Sequence, residues 1–490
     1  MLRGTRIPNL RPYQRPLFSV PPSLRIKLKF TSLSGPQGSR SLDEDSDNFL
    51  RWLEQKAGSQ ISSVLSIGKS AYGRSLFASK TIQTGDCILK VPYSVQVTPA
   101  HLLPEIKSLL GNEVGNIAKL AIVILVEQKF GQKSEWARYV SRLPQPGEMH
   151  NMSLKGRGSA GYNTAKNDSL DFEAELEMIC QSSVYQETIN HKSQIKKDFL
   201  AIRLALQCFP ELFGDITHKD FMHACALVGS RAWGSSEGLS LIPFADFLNH
   251  DGASESIVFS DDDKQVSEVI ADRNYHAGEQ VLIRYGKFSN ATLMLDFGFS
   301  LPYNKQDEVQ IQFNVPHHDL LREKKIEFLQ RHCTPIAKDV NGFNSSVESF
   351  TIKEVGSAKG KGKGLPQSLR AFARVLACTT YEELGDLAKE AAQNDGRLAR
   401  RPLSDRSKEI RAHQMLLSRI TQLIEEYNAA IKSLVPISFP PMCETLARRR
   451  QMARDLLNGE LRILKSASAW LKNYCATLTT FTCNCENISD

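Results

Sequence analysis

The chain has 490 residues, a formal net charge of +7 at pH 7 and ten cysteines. That length exceeds what one hydrophobic core supports, so two domains and a flexible end are expected. The charge is local: residues 1–42 hold eight Lys and Arg and no acid, and taking eight from 61 leaves 53 basic residues against 54 acidic ones. That balance argues against a nucleic-acid-binding body. The cysteines show no C-x-x-C pair and only Cys483 and Cys485 lie close together, so no metal site is predicted. The longest apolar run, 120–126 between Lys119 and Glu127, is too short to span a bilayer and reads as a buried helix.

Residues 1–42 are rich in Arg, Ser and Pro and lack the apolar core of about 7–15 residues that a secretory signal needs. They read as an organelle transit peptide, or else as a disordered basic tail, with cleavage expected before Asp43-Glu44-Asp45. Residues 46–58, carrying Phe49, Leu50, Trp52 and Leu53, predict an amphipathic helix capped by Asp45 or Ser46. Strands are expected over 63–97 and helices over 99–143. The stretch 153–169 is polar, Gly-rich and aperiodic, hence a flexible loop that trypsin should cut first at Lys155, Arg157 or Lys166. Helices follow at 173–190, 192–209 and 217–230, and strands return over 239–313. Beyond His317 the spacing is helical across 319–333, 367–378, 380–393, 405–434 and 444–475, with 476–490 as a tail. Lys359, Lys361 and Lys363, alternating with Gly360, Gly362 and Gly364, form a solvated loop.

Three stretches carry motif content. Gly73-Arg74-Ser75-Leu76-Phe77-Ala78 precedes a strand-like run. Pro243, Asp246, Asn249 and His250 make a P-x-x-D-x-x-N-H pattern. Tyr285-Gly286 follows an apolar run and precedes Ser289-Asn290 and Asp296-Phe297-Gly298-Phe299. In this order they resemble the SET-domain protein methyltransferases, most closely the plant Rubisco large-subunit lysine methyltransferase branch. Trp136, Tyr139, Leu143 and Pro144 resemble a further element of that branch, and the helical half resembles its substrate-binding domain. Together the two resemblances cover about 45–475.

The resemblance implies an α+β fold. A β-rich SET fold over 46–313, with a helical insert at about 100–230, is followed by an all-α substrate-binding domain over 318–475. It implies S-adenosylmethionine as cofactor and methyl transfer to a protein lysine. Tyr285 matches the catalytic tyrosine. Tyr72, Gly73, Arg74, Arg231, Asp246, Asn249 and His250 match cofactor positions, joined by Tyr285. Arg231 either meets the cofactor carboxylate or makes a structural salt bridge to Asp246. Phe297 stands where the branch commonly carries Tyr, which removes one hydroxyl from the lysine channel. A protein substrate such as Rubisco large subunit or chloroplast aldolase follows, with chloroplast as destination and mitochondrion second, and with no nucleic-acid or membrane partner. The competing readings are a non-catalytic SET scaffold and methylation of another side chain such as histidine.

Such a transfer is a direct displacement on carbon. The attacking amine must be neutral although free lysine has a pKa near ~10.4. The site therefore needs a dry channel and well-placed oxygens more than acid–base machinery.

Overall fold

The computed structural model describes residues 44–70, 73–111, 114–146, 148–149, 176–235, 238–332, 349–434 and 444–486. Residues 1–42, Tyr72 and the stretch 153–169 lie outside them. The first helix, α1 (Glu44–Ala57), buries Phe49 and Leu53, which stand four apart on one face. Asp45 and Ser46 fall inside its first turn, not ahead of it as expected for caps.

The antiparallel hairpin β1 (Leu65–Ser70) and β2 (Gly73–Ala78) runs in register from Leu65 opposite Ala78 to Ser70 opposite Gly73. Strand β3 (Cys87–Pro92) leaves it for a separate sheet. The apolar run 120–126 lies in α2 (Asn116–Phe130) and is buried throughout, as a helix apolar on all sides must be. Next, α3 (Ser183–Gln207) is one continuous helix where the sequence suggests two. No Gly or Pro interrupts 183–207, so the polar residues near 191 do not break it. Helix α4 (His218–Arg231) opens on a reciprocal cap between Thr217 and Asp220 and delivers Arg231 to the head of β4 (Ala232–Ser235).

The β-rich half is an assembly of small sheets. β4 pairs with β5 (Gly238–Leu241); β6 (Asn249–His250) lies parallel to β9 (Leu282–Ile283); β7 (Val258–Asp261) and β8 (Val266–Ile270) extend β3 in the order β3-β8-β7. β10 (Glu308–Gln312) pairs with β11 (Ser349–Lys353). That last strand lies in the helical half, where Phe350 and Ile352 alternate inward. Around it stand α5 (Arg322–His332), α6 (Gln367–Leu376), α7 (Tyr381–Ala392), α8 (Arg406–Ser433) and α9 (Glu444–Glu486). Helix α9 continues past 475, so much of the expected tail is helical. Residues 476–486 contain no Gly or Pro, and the Thr477 and Thr479 hydroxyls bond back to carbonyls one turn earlier.

Two cores organise the molecule. One spans Phe49 to Ile283 and is the core of the β-rich half. The other joins the helical half to Leu176, Ile179 and Val184 before and within α3, and to Ala291, Met294 and Leu295. Polar bonds cross the same boundary. Ser182 donates to Glu460 Oε1 at 2.8 Å, Tyr427 to the Gln181 carbonyl at 2.9 Å, Ser300 to Asp455 Oδ2 at 2.9 Å, and Arg462 to the Asn304 carbonyl at 2.8 Å. Gly459 leaves room there for the Asp307 carboxylate, which a Cβ would force to shift. Among the described residues no helix is long and apolar enough to cross a membrane.

Candidate active site

Asp246 is set by a strained turn. Phe244 is fully buried with φ of 74°, a conformation that costs a bulky residue about 1–3 kcal/mol and survives only where packing imposes it. It throws the chain into the short turn Ala245–Phe247. Tyr139, fully buried, donates its hydroxyl to Asp246 Oδ2 at 2.9 Å, while Asp246 Oδ1 is buried and unpaired. Burial pushes the Asp246 carboxyl up to about 6, against the pull of Arg231, the Tyr139 hydrogen bond and Arg74.

The two cations are placed by neighbouring elements. Arg231, on the last turn of α4, donates to Ser230 Oγ at 2.8 Å and makes no direct ion pair with Asp246. Its charge reaches Asp246 only through space. Arg74, on β2, lies over the Phe247 ring at 5.3 Å and donates to the Arg142 carbonyl. Burial, then Arg142, draws its guanidinium below the usual value. Gly73 beside it has φ of +96°, with nothing within 4 Å of where a Cβ would sit. Its backbone, not crowding, demands glycine.

Asn249 and His250 form β6, and its parallel pairing with β9 carries the chain on to Tyr285. Asn249 Nδ2 is buried without a partner. The Tyr285 N–H donates to His250 Nδ1 at 3.0 Å, which places the imidazole proton on Nε2. Burial drops His250 to about 4, with Asp251 opposing, so the ring is neutral. The Tyr285 hydroxyl donates to the Leu248 carbonyl at 2.7 Å. Burial raises its pKa, Arg231 opposing and Asp246 adding, so it stays a phenol.

Aromatic rings wall this hydroxyl. Around Tyr285 stand Trp233 at 6.1 Å and 86°, His250 at 5.1 Å and Phe297 at 5.2 Å. Phe288 lies 5.5 Å from Phe297, and Phe299 lies 5.8 Å from His250. Phe297 reaches the wall from a π-helical turn, Leu293–Phe297, ended by left-handed Gly298. Ser289 and Asn290 support that turn: Ser289 caps the helical turn Asn290–Thr292 that leads into it, and Asn290 exchanges two 2.9 Å hydrogen bonds with Leu301.

The structure thus gathers Arg74, Arg231, Asp246, Asn249, His250, Tyr285 and Phe297 into one region, with Gly73 at its β2 border. Sequence reasoning assigned no role to Tyr139, Trp233, Phe288 or Phe299. Trp233 and Phe288 lie beside motif residues, and an aromatic two or three residues from Arg231 or Tyr285 was the available signal.

Most of this aromatic-walled site falls in a stretch that is similar to the SET-domain family. Residues 73–286 match the SET domain family, and 316–464 match the Rubisco LSMT substrate-binding family; the chain carries both domains, the first followed by the second. It is 26% identical over 345 residues to the [fructose-bisphosphate aldolase]-lysine N-methyltransferase, chloroplastic, of Arabidopsis thaliana, covering 66% of this chain and 65% of that one. Against the ribulose-1,5 bisphosphate carboxylase/oxygenase large subunit N-methyltransferase of Pisum sativum it is 23% identical, covering 62% of each. The alignments thus span somewhat less than two thirds of those two plant relatives. The actin-histidine N-methyltransferase of Rattus norvegicus is 26% identical over 443 residues, covering 86% of this chain and 67% of that one. A solved structure of Rubisco LSMT bound to sinefungin and monomethyllysine superposes with a TM-score of 0.65 at 20% identity, covering 89% of this chain and 93% of that one. It shares the fold.

Proposed function

We propose that this chain is a protein-lysine N-methyltransferase that uses S-adenosylmethionine and acts on a non-histone protein in the chloroplast. The observation that carries the reading is a protonated Tyr285 hydroxyl, fixed on the Leu248 carbonyl inside an aromatic wall, with two buried unpaired polar atoms in the same region. Asp246 Oδ1 is an acceptor and Asn249 Nδ2 a donor. An amino-acid-like group bearing both an ammonium and a carboxylate suits that pair. Asp246 would take the ammonium; Asn249 and the Arg231 fork would take the carboxylate. Gly73 and Arg74 would border it, and Tyr72 belongs with them in sequence. Bound S-adenosylmethionine supplies a sulfonium methyl open to direct displacement.

The residues of this chain then do three things. The ring faces of Trp233, Tyr285 and Phe297 attract an entering ammonium. Their dryness favours its neutral form, because burial disfavours charge and lowers a lysine pKa. The Tyr285 hydroxyl, unable to act as a base while protonated, orients the amine and the departing methyl. The Leu248 carbonyl holds that hydroxyl in place.

The plant relatives support Rubisco large subunit or aldolase as substrate and the chloroplast as location, as does the basic, acid-free stretch 1–42. Histidine methylation is the second reading, favoured by the longer alignment to the actin-histidine relative. One experiment separates them. Recombinant chain, labelled S-adenosylmethionine and a stromal extract should yield a labelled protein whose modified residue is lysine by mass spectrometry. Label on histidine would replace the lysine reading. No label would favour a scaffold without turnover.

A further inference from the structure

The lysine–glycine run is not the loose solvated loop its composition suggests. It leads from β11 to α6, and α9 holds its backbone at successive points. Val355 N–H donates to Ser466 Oγ at 3.0 Å, Asn473 Nδ2 to the Ala358 carbonyl at 3.0 Å, and Trp470 Nε1 to the Gly360 carbonyl at 2.7 Å. Gly362 has φ of +67° and lies on the Trp470 indole, so a Cβ there would stand 2.6 Å from the ring. Gly364 has φ of +126°, and its carbonyl accepts from Lys353 N–H at 2.9 Å. The glycines are needed for this fit.

Lys359, Lys361 and Lys363 are all exposed on that fixed backbone. Among the described residues no acid forms an ion pair with them. No acid occurs between Gly356 and Arg374, and the flanking acids are engaged, Glu354 with Arg462 and Glu308 with Lys353. Arg374 is turned inward onto Glu409, and Arg370 lies over the Trp470 and Tyr474 rings.

A run of exposed charge is ordinarily a solvated face. Such a face needs no anchors, whereas here three side chains of α9 bind the loop backbone. Anchoring a glycine-rich loop removes in advance the ordering cost that a binding event would otherwise bear.

We propose that Lys359, Lys361 and Lys363 form a docking surface for an acidic face of the protein substrate, a role that rests on the methyltransferase reading. The body without residues 1–42 has one more acid than base. Beyond the loop the body therefore offers a long polyanion or an anionic membrane no net positive charge to add to the contact. A compact acidic patch on a protein would meet only the three lysines.

The test uses the full chain and a short labelled oligoglutamate peptide, a compact acidic probe, followed by fluorescence anisotropy over rising salt. Wild type should bind, with affinity falling as salt screens the contacts. The triple variant Lys359→Gln, Lys361→Gln, Lys363→Gln should bind at least about tenfold more weakly, with a shallower salt dependence. Gly362→Ala, which keeps every lysine but displaces the loop from Trp470, should also weaken binding. Equal binding by wild type and triple variant overturns the proposal, as does no binding by wild type. Tighter binding of single-stranded oligonucleotide or phosphatidylglycerol vesicles through the same lysines overturns the choice of a protein partner. S-adenosylmethionine affinity, measured on the same samples, should be unchanged in both variants. If wild type binds the oligoglutamate peptide but no S-adenosylmethionine, the methyltransferase reading fails and the loop result stands by itself.

Discussion

Tyr285 and Asp246 divide the work at the scale of single residues. Tyr285→Phe keeps the ring against Trp233 and Phe297 and removes only the hydroxyl on Leu248. Turnover should fall on the order of 10²–10³-fold while S-adenosylmethionine affinity stays near wild type. Near-normal turnover would remove Tyr285 from the catalytic role. Asp246 gives a pH signature instead. If its carboxylate holds the cofactor ammonium, affinity should weaken as pH falls through about 6, where the carboxyl takes up its proton. Tyr139→Phe deletes a hydrogen bond to the charged form, so the midpoint should move upward. Calorimetry across pH reads both, and an affinity flat over that range would sink the assignment.

Among the elements, the π-helical turn Leu293–Phe297 matters most, because it aims Phe297 at Tyr285. Gly298 ends it with φ of 77°, a region where an L-residue is disfavoured by about 1–2 kcal/mol. Gly298→Ala should lower the melting temperature and reduce turnover together by shifting Phe297. An unchanged melting curve would show that the turn tolerates a Cβ. The motif Asp296-Phe297-Gly298-Phe299 was legible as a landmark, but its π-helical form was not. Local spacing does not encode one extra residue per turn; packing of Leu293, Met294 and Leu295 does.

For the whole molecule, the seam between the cores is the sensitive part. Glu460 is buried on α9, accepts from Ser182 and Tyr427, and faces Asp307, with no cation bonded to it among the described residues. Burial raises its carboxyl to about 8, from 4.5. A raised carboxyl stabilises the fold fully below pH 4.5, and that contribution is lost as pH rises through about 8. Melting temperature should therefore decline between about pH 4.5 and 8, and Glu460→Gln should flatten that decline; a variant as pH-sensitive as wild type would assign the effect elsewhere. The helical half holds none of the motif residues and reads from sequence as separable. Yet Leu176, Ile179, Ala291, Met294 and Leu295 bury into its core. A chain ending near Pro316 should consequently be insoluble or fail to bind S-adenosylmethionine, and a well-folded fragment with full affinity would refute that dependence.

The sequence by itself determined the order of elements, the two-domain plan and the motif positions, because apolar periodicity and short motifs are local properties. Helices α4, α6, α7 and α8 fall within a few residues of where spacing puts them. Only tertiary structure decided that α3 is unbroken, that β11 crosses from the helical half to pair with β10, and that Tyr139 reaches Asp246 across 107 positions. It also decided that Lys359, Lys361 and Lys363 stand on an anchored loop, since the anchors come from Ser466, Trp470 and Asn473 about a hundred residues away. Contacts at that separation leave no imprint on a reading window of ~11–18 residues; the burial they create is what shifts Asp246 and Glu460.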